Sequence, residues 1–70
     1  MSKYEPLWKY LSTNNKENYD LSFEEIKEIL GFEIDHAFLT YKKEAQNYGY
    51  VVEKISLKGK RIFFNKVMGN

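Results

Sequence analysis

Residues 21–31 read Leu-Ser-Phe-Glu-Glu-Ile-Lys-Glu-Ile-Leu-Gly, and they contain the strongest local signal in the chain. Ser22 and Glu25 have the spacing of a capping box, in which each side chain accepts a hydrogen bond from the backbone N–H of the other residue. Gly31 follows the last apolar position and suits the left-handed end of a helix. The stretch therefore predicts a helix over residues 22–30.

A shorter helix is predicted before this one. Pro6 suits a first helical turn because its φ angle is fixed and its nitrogen carries no hydrogen. Leu7, Trp8 and Leu11 then form a short apolar stripe, which indicates a helix over about residues 6–13. The stretch 12–20 is polar and without periodicity, and we interpret it as a surface loop.

A third helix is predicted soon after Gly31. Asp35 is a good N-cap residue, and apolar or aromatic side chains recur through the following three turns, at positions 38, 41, 45 and 48. Gly49 ends the pattern, so we expect one helix over residues 35–48.

The last third of the chain has the composition of β-strands. Residues 50–57 and 61–67 are rich in β-branched and aromatic residues. The turn between them contains Gly59, which we expect to supply a positive φ angle. These features predict a β-hairpin whose tip carries Lys58, Lys60 and Arg61.

The predicted fold class is α+β, with three helices followed by a β-hairpin. This is the element order of a winged helix-turn-helix domain, with helix three as the recognition helix and the hairpin as the wing. We expect one domain over residues 1–70, with a polar tail at 68–70. The expected core consists of Leu7, Leu11, Ile26, Ile29, Leu30, Phe38, Tyr41, Ala45, Val52, Ile55, Ile62 and Phe64.

Length and composition limit the classes of protein that are possible. With 70 residues the chain has room for one small domain, and without cysteine it has neither disulfides nor thiolate chemistry. Aromatic residues make up 17% of the chain, so aromatic packing is the expected substitute for a covalent staple. No stretch has the length of a membrane span or of a signal peptide's apolar segment, so we expect a soluble, cytoplasmic bacterial domain.

Charge and side-chain chemistry favour duplex DNA as the partner. Residues 1–33 carry a net charge of −3, whereas residues 34–70 carry +4. At 100° per residue, one polar face of helix three contains no acid, and its side chains are types that contact phosphates and base edges. The candidate nucleic-acid-binding residues are His36, Thr40, Lys43 and Asn47 on that face, the flanking Lys42 and Gln46, and Lys58, Lys60 and Arg61 at the hairpin tip.

Catalysis and cofactor binding have no support in the sequence. His36 is the single histidine, and no pair of side chains has the spacing of a nucleophile and its base. The acids of residues 24–28 fit the first turn of a helix, where the helix dipole favours negative charge. We therefore expect no enzyme activity, no metal and no cofactor.

A protein-interaction module, such as a small regulatory or antitoxin-like protein, is the alternative function. Its support is the aromatic excess, because so many rings cannot all be central in a core of this size and exposed rings tend to anchor interfaces. The aromatic residues in question are Trp8, Tyr10, Tyr19, Phe32 and Tyr50. A homodimer is compatible with both functions, because duplex sites are often read by two copies of a domain.

Several stretches resemble small bacterial proteins of an uncharacterised domain family. They are Tyr4-x-Pro-Leu, the helix-cap and core positions of residues 21–31, and Tyr48-Gly49-Tyr50-Val51-Val52. The resemblance covers nearly the whole chain and implies a shared fold rather than an activity. Longer members carry an Arg-rich segment with a tryptophan pair before the first hairpin strand. This chain has no such segment, so no role of that segment carries over.

Overall fold

Three helices and a three-stranded antiparallel sheet form a mixed α+β domain in the computed structural model, which describes residues 3–67. The elements follow one another as α1 (Glu5–Asn14), β1 (Asn18–Ser22), α2 (Phe23–Leu30), α3 (Ala37–Tyr41), a 3₁₀ segment (Lys42–Tyr48), β2 (Tyr50–Ser56) and β3 (Arg61–Lys66). The predicted tail at 68–70 lies outside the described residues. None of the helices within residues 3–67 combines the length and the apolar composition that a membrane crossing requires.

The sheet has the strand order β1-β3-β2, with both pairings antiparallel. The predicted hairpin of β2 and β3 is confirmed, but it accounts for only two of the three strands. The prediction of a loop over residues 12–20 is wrong, because α1 continues to Asn14 and β1 begins at Asn18. Tyr19 and Leu21 alternate with exposed neighbours along β1 and are buried, as one face of a half-covered strand requires.

Helix α2 forms as the sequence predicts. Glu25 N–H donates to Ser22 Oγ at 3.1 Å, and Ser22 N–H donates to Glu25 Oε1 at 2.9 Å, which completes the capping box. The helix ends at Gly31, whose φ of 87° is in the left-handed region and whose N–H donates to the Lys27 carbonyl. Both ends of α2 are therefore set by local hydrogen bonds.

The third helix differs from its prediction. In place of one α-helix over residues 35–48, a short α-helix ends at Tyr41 and continues as the 3₁₀ segment up to Gly49. Asp35 still acts near the start, because its Oδ1 accepts a hydrogen bond from Ala37 N–H at 3.0 Å. Packing against α1 accompanies the tighter winding: Trp8 Nε1 donates to Glu44 Oε1, and the Tyr48 hydroxyl donates to Glu5 Oε2, each at 3.2 Å.

The core contains more aromatic residues than the sequence predicts. Seven of the expected core residues are buried, namely Leu7, Leu11, Ile26, Phe38, Ala45, Ile62 and Phe64, while Ile29, Leu30, Val52 and Ile55 pack partly buried against them. Tyr41 was expected in the core and is 40% exposed, so that prediction is wrong. Tyr4, Trp8, Tyr19, Leu21 and Tyr50 complete the buried set.

Aromatic packing in this core is centred on Tyr4. Its ring lies 5.6 to 6.4 Å from the rings of Trp8, Phe32, Phe38 and Tyr41. Such edge and tilted contacts add to the free energy of burial. They join α1 to the segment before α3 and to α3 itself, so the start of α3 is held by the core.

Candidate nucleic-acid interface

The polar side chains predicted on helix three lie on α3 and on the 3₁₀ segment that continues it. His36 directly precedes α3, and Thr40 lies within it. The others belong to the 3₁₀ segment, where Lys42 is half-buried and Lys43, Gln46 and Asn47 are exposed. These residues are therefore presented by two kinds of helix with different periods.

The 3₁₀ winding rearranges the predicted face. In a 3₁₀ helix, side chains three positions apart eclipse one another. Lys43 is therefore aligned with Gln46, whereas Asn47 falls in the row of Glu44. The expectation that Asn47 and Lys43 share an acid-free face does not hold, and Gln46 takes the position beside Lys43.

The start of α3 is held by the polar contacts of Asp35. Its Oδ1 accepts hydrogen bonds from Ala37 N–H and from the Tyr4 hydroxyl at 3.2 Å, and its Oδ2 lies 3.7 Å from Lys3 Nζ. The Ala37 N–H is the main cause that lowers the pKa of Asp35, while burial raises the pKa of Tyr4 to about 12. His36 thus projects from a backbone that is fixed on both sides.

The hairpin tip is a four-residue connection between Ser56 and Arg61. The residue with positive φ in this turn is Lys60, at 54°, and not Gly59 as expected. Gly59 N–H donates to Ser56 Oγ at 3.1 Å, and the Lys60 carbonyl accepts from Phe23 N–H at 2.8 Å. These two bonds hold the turn together and attach it to the start of α2.

The three cations of the tip do not have the same surroundings. Arg61 forms an ion pair with Asp20 of β1, and the Asp20 carboxylate raises the pKa of the Arg61 guanidinium. Within residues 3–67, neither Lys58 nor Lys60 takes part in an ion pair. Lys60 does line a groove of about 300 Å³ together with Glu24 and Glu33, so acids lie on that side of the tip.

A second groove, of about 260 Å³, lies between the start of α3 and the hairpin tip. Its lining includes His36, which precedes α3, and Leu39 of α3, together with Ile55 of β2 and Leu57, the first residue of the turn. The structure therefore brings the first part of the predicted helix face close to the hairpin tip. The polar residues in its lining are Asp35 and His36.

The lining of this groove is mostly apolar, which was not predicted from the sequence. Leu39 is 51% exposed and Leu57 is 76% exposed. A leucine directly before the lysines of a turn was the available signal for Leu57. For Leu39 a helical pattern alone predicts no such exposure.

The aromatic residues behind the alternative function are mostly interior. Trp8, Tyr19 and Tyr50 are buried, Phe32 is half-buried, and only Tyr10 among the five counts as exposed. The argument that these rings anchor an interface is therefore wrong for the three buried residues. Among the described residues, no three histidine, aspartate or glutamate side chains are grouped as a metal ion would require.

No protein-family model, no curated protein and no solved structure matches this chain. The resemblance to small bacterial proteins therefore stays a prediction.

Proposed function

We propose that this chain is a non-catalytic, winged helix-turn-helix-like domain that binds duplex DNA. α3 and the 3₁₀ segment lie along the major groove, and the hairpin tip contacts the adjacent part of the duplex. Lys43 and Gln46 face base edges and phosphates, while Lys58 and Lys60 contact the phosphate backbone.

The observation that carries this proposal is the groove shared by α3 and the hairpin. His36 and Leu39 from the helix and Leu57 from the hairpin line one groove, so both elements can meet one duplex at the same time. Two contacts at fixed spacing set the register of a protein on DNA, and this is the role that backbone contacts have beside a recognition helix.

The order of the elements supports the same arrangement. α2 and α3 are joined by the short connection 31–36, and the hairpin follows the 3₁₀ segment. β1 adds a third strand on the side of β3 that is opposite to β2. The additional strand leaves the sequence of helix, turn, helix and hairpin unchanged.

The test measures, by fluorescence anisotropy, how binding to a mixed-sequence duplex depends on the salt concentration. At about 50 mM salt we expect a Kd in the micromolar range or tighter, which rises steeply as salt is added because phosphate contacts release counterions. Lys58→Ala should flatten the log–log slope by about 0.9. Lys9→Ala is the matched control, since it removes the same charge from α1. Absence of binding at low salt would disprove the proposal.

A protein partner is the second candidate function, because the groove beside α3 is apolar. Exposed leucines in one groove are typical of a surface that another protein covers. Sedimentation equilibrium of the purified chain tests the simplest case, a homodimer. If that case holds, Leu39→Ser shifts the chain toward monomer, whereas Lys9→Ser leaves the equilibrium unchanged.

A further inference from the structure

Leu57 has no role in the fold that explains its position. It is the first residue of the hairpin turn, and it is 76% exposed, although it is as apolar as the buried Leu7 and Leu11. Lys58 follows it directly, and Lys60 lies two residues further on. The tip therefore presents one large apolar side chain beside two cations.

The backbone that carries Leu57 is restrained. Ser56 accepts the Gly59 N–H through its hydroxyl, and the Lys60 carbonyl is tied to the first residue of α2. An exposed side chain on such a turn loses little backbone freedom when it binds a partner, so the cost of ordering it is small.

We propose that Leu57 is an apolar wedge that enters between base pairs from the minor groove of duplex DNA. The inference rests on the proposed function. With α3 and the 3₁₀ segment along the major groove, the neighbouring hairpin tip meets the adjacent minor groove. Proteins that bind there often insert leucine or a similar side chain into a base step and kink the duplex.

Charge complementarity identifies DNA as the occupant. Phosphates border the minor groove on both sides, and Lys58 and Lys60 lie on the same turn as Leu57. A wedge with Lys58 directly beside it matches an apolar base stack bordered by anions, and the acids Glu24 and Glu33 lie on the side of the tip that Lys60 faces. A protein partner would have to place acidic groups at the same two positions.

The wedge also predicts a sequence preference that does not depend on hydrogen bonds to bases. Pyrimidine–purine steps such as TA unstack and kink more easily than other steps. The chain should therefore bind a duplex with a TA step at the position of the tip more tightly than one with a stiff A-tract there.

The test uses the full chain and 20-base-pair duplexes that carry 2-aminopurine beside a central TA step. Wild-type protein should raise the fluorescence of 2-aminopurine, because unstacking relieves its quenching. Leu57→Ala should abolish the rise at saturating protein and weaken binding by about tenfold or more, since it removes most of the buried apolar surface. The salt slope should stay unchanged, because no phosphate contact is lost.

Two control variants make the result specific. Val67→Ala truncates an exposed apolar side chain outside the tip and the groove and should leave the fluorescence rise intact. Leu57→Met keeps an apolar side chain of similar size and should retain most of the rise. Because Leu57 is exposed, neither Leu57→Ala nor Leu57→Met should disturb folding. Circular dichroism of both variants checks this.

Each remaining outcome decides the question. If Leu57→Ala binds as tightly as wild type with the same fluorescence, the wedge is overturned and DNA binding stands. If wild-type protein does not bind any duplex, the proposed function and the wedge both fall. If Leu57→Ala leaves fluorescence unchanged and dissociates a dimer of the free chain, Leu57 belongs to an interface between copies and the wedge is overturned.

Discussion

Arg61 Nε lies 2.5 Å from Oδ1 of Asp20, and this ion pair joins β1 to the first residue of β3. Arg61 is opposite Ser22 in the sheet, and Asp20 is opposite Phe63, so the two charged residues are diagonal neighbours. Diagonal pairs of this kind are within reach of long side chains. Of the three cations predicted to meet phosphate at the hairpin tip, Arg61 is therefore already neutralised by an acid.

This ion pair predicts different salt effects for neighbouring cations. Arg61→Ala should leave the log–log slope of DNA binding almost unchanged, while Lys58→Ala flattens it by about 0.9. Asp20→Asn should steepen the slope by a similar amount, because it releases Arg61 for a phosphate. Glu28→Gln changes the net charge equally on α2 and serves as the control. If Arg61→Ala flattens the log–log slope as much as Lys58→Ala does, Arg61 leaves Asp20 when DNA binds and the prediction is wrong.

The 3₁₀ winding predicts which amide reads bases. Gln46 is aligned with Lys43, whereas Asn47 lies in the row of Glu44. Gln46→Ala should reduce discrimination at one base pair by about 1 to 3 kcal/mol, the usual worth of a bidentate contact. Asn47→Ala, a matched amide truncation, should leave the preferred sequence unchanged. Competition binding against a randomised duplex library measures the base preference of both variants. If Asn47→Ala changes the preference and Gln46→Ala does not, the side chains are arranged as on an α-helix and the prediction is wrong.

The capping box of α2 should contribute measurably to stability. Ser22→Ala removes the acceptor of the Glu25 N–H and should lower the free energy of unfolding by about 0.5 to 2 kcal/mol. Ser12→Ala is the control, since the Ser12 hydroxyl donates to the Lys9 carbonyl within an exposed part of α1. Urea denaturation compares the two. Equal midpoints for wild type and Ser22→Ala would contradict the role of Ser22 as a cap.

Stability should depend on the charge of Glu25. The backbone N–H of Ser22, followed by the Ser22 hydroxyl, lowers the pKa of Glu25 below its ordinary value. A lowered pKa in the folded state means that the stabilisation is complete above the unfolded pKa and is lost as the pH falls through the folded one. The difference in unfolding free energy between wild type and Glu25→Gln should therefore be largest near neutral pH and shrink in acid. A difference that is constant from pH 7 to about pH 2 would contradict this linkage.

Tyr19 should stabilise the junction between α1 and β1. Its hydroxyl donates to the Leu11 carbonyl at 2.7 Å and accepts from Lys16 N–H at 3.1 Å. Tyr19→Phe leaves these backbone groups without their partner, so we expect a loss of about 1 to 3 kcal/mol. Tyr10→Phe removes a hydroxyl from an exposed side chain and should cost much less. Equal thermal midpoints for the two variants would show that water replaces the buried hydroxyl.

The features that could be predicted from the sequence are those that depend on local interactions. The capping box, the end of α2 at Gly31 and the hairpin depend on residues that are close together in the chain, so their patterns are visible in the sequence. The same holds for the types of residue in the candidate interface. Lysine, glutamine and threonine near the start and end of these elements are enough to suggest a polyanion as the partner.

The sequence by itself determined the helices' starting points, the hairpin and the chemistry available for binding. Only the tertiary structure decided that residues 18–22 form a strand, because a five-residue strand gains its hydrogen bonds from β3 and not from its own neighbours. The hydrogen bonds of the 3₁₀ segment with Trp8 and Glu5 likewise come from distant residues. They accompany the 3₁₀ winding, in which Gln46 and Asn47 lie on different sides of the segment. The physical reason is the same in each case: these features depend on partners far away in the chain, and a local pattern contains no information about them.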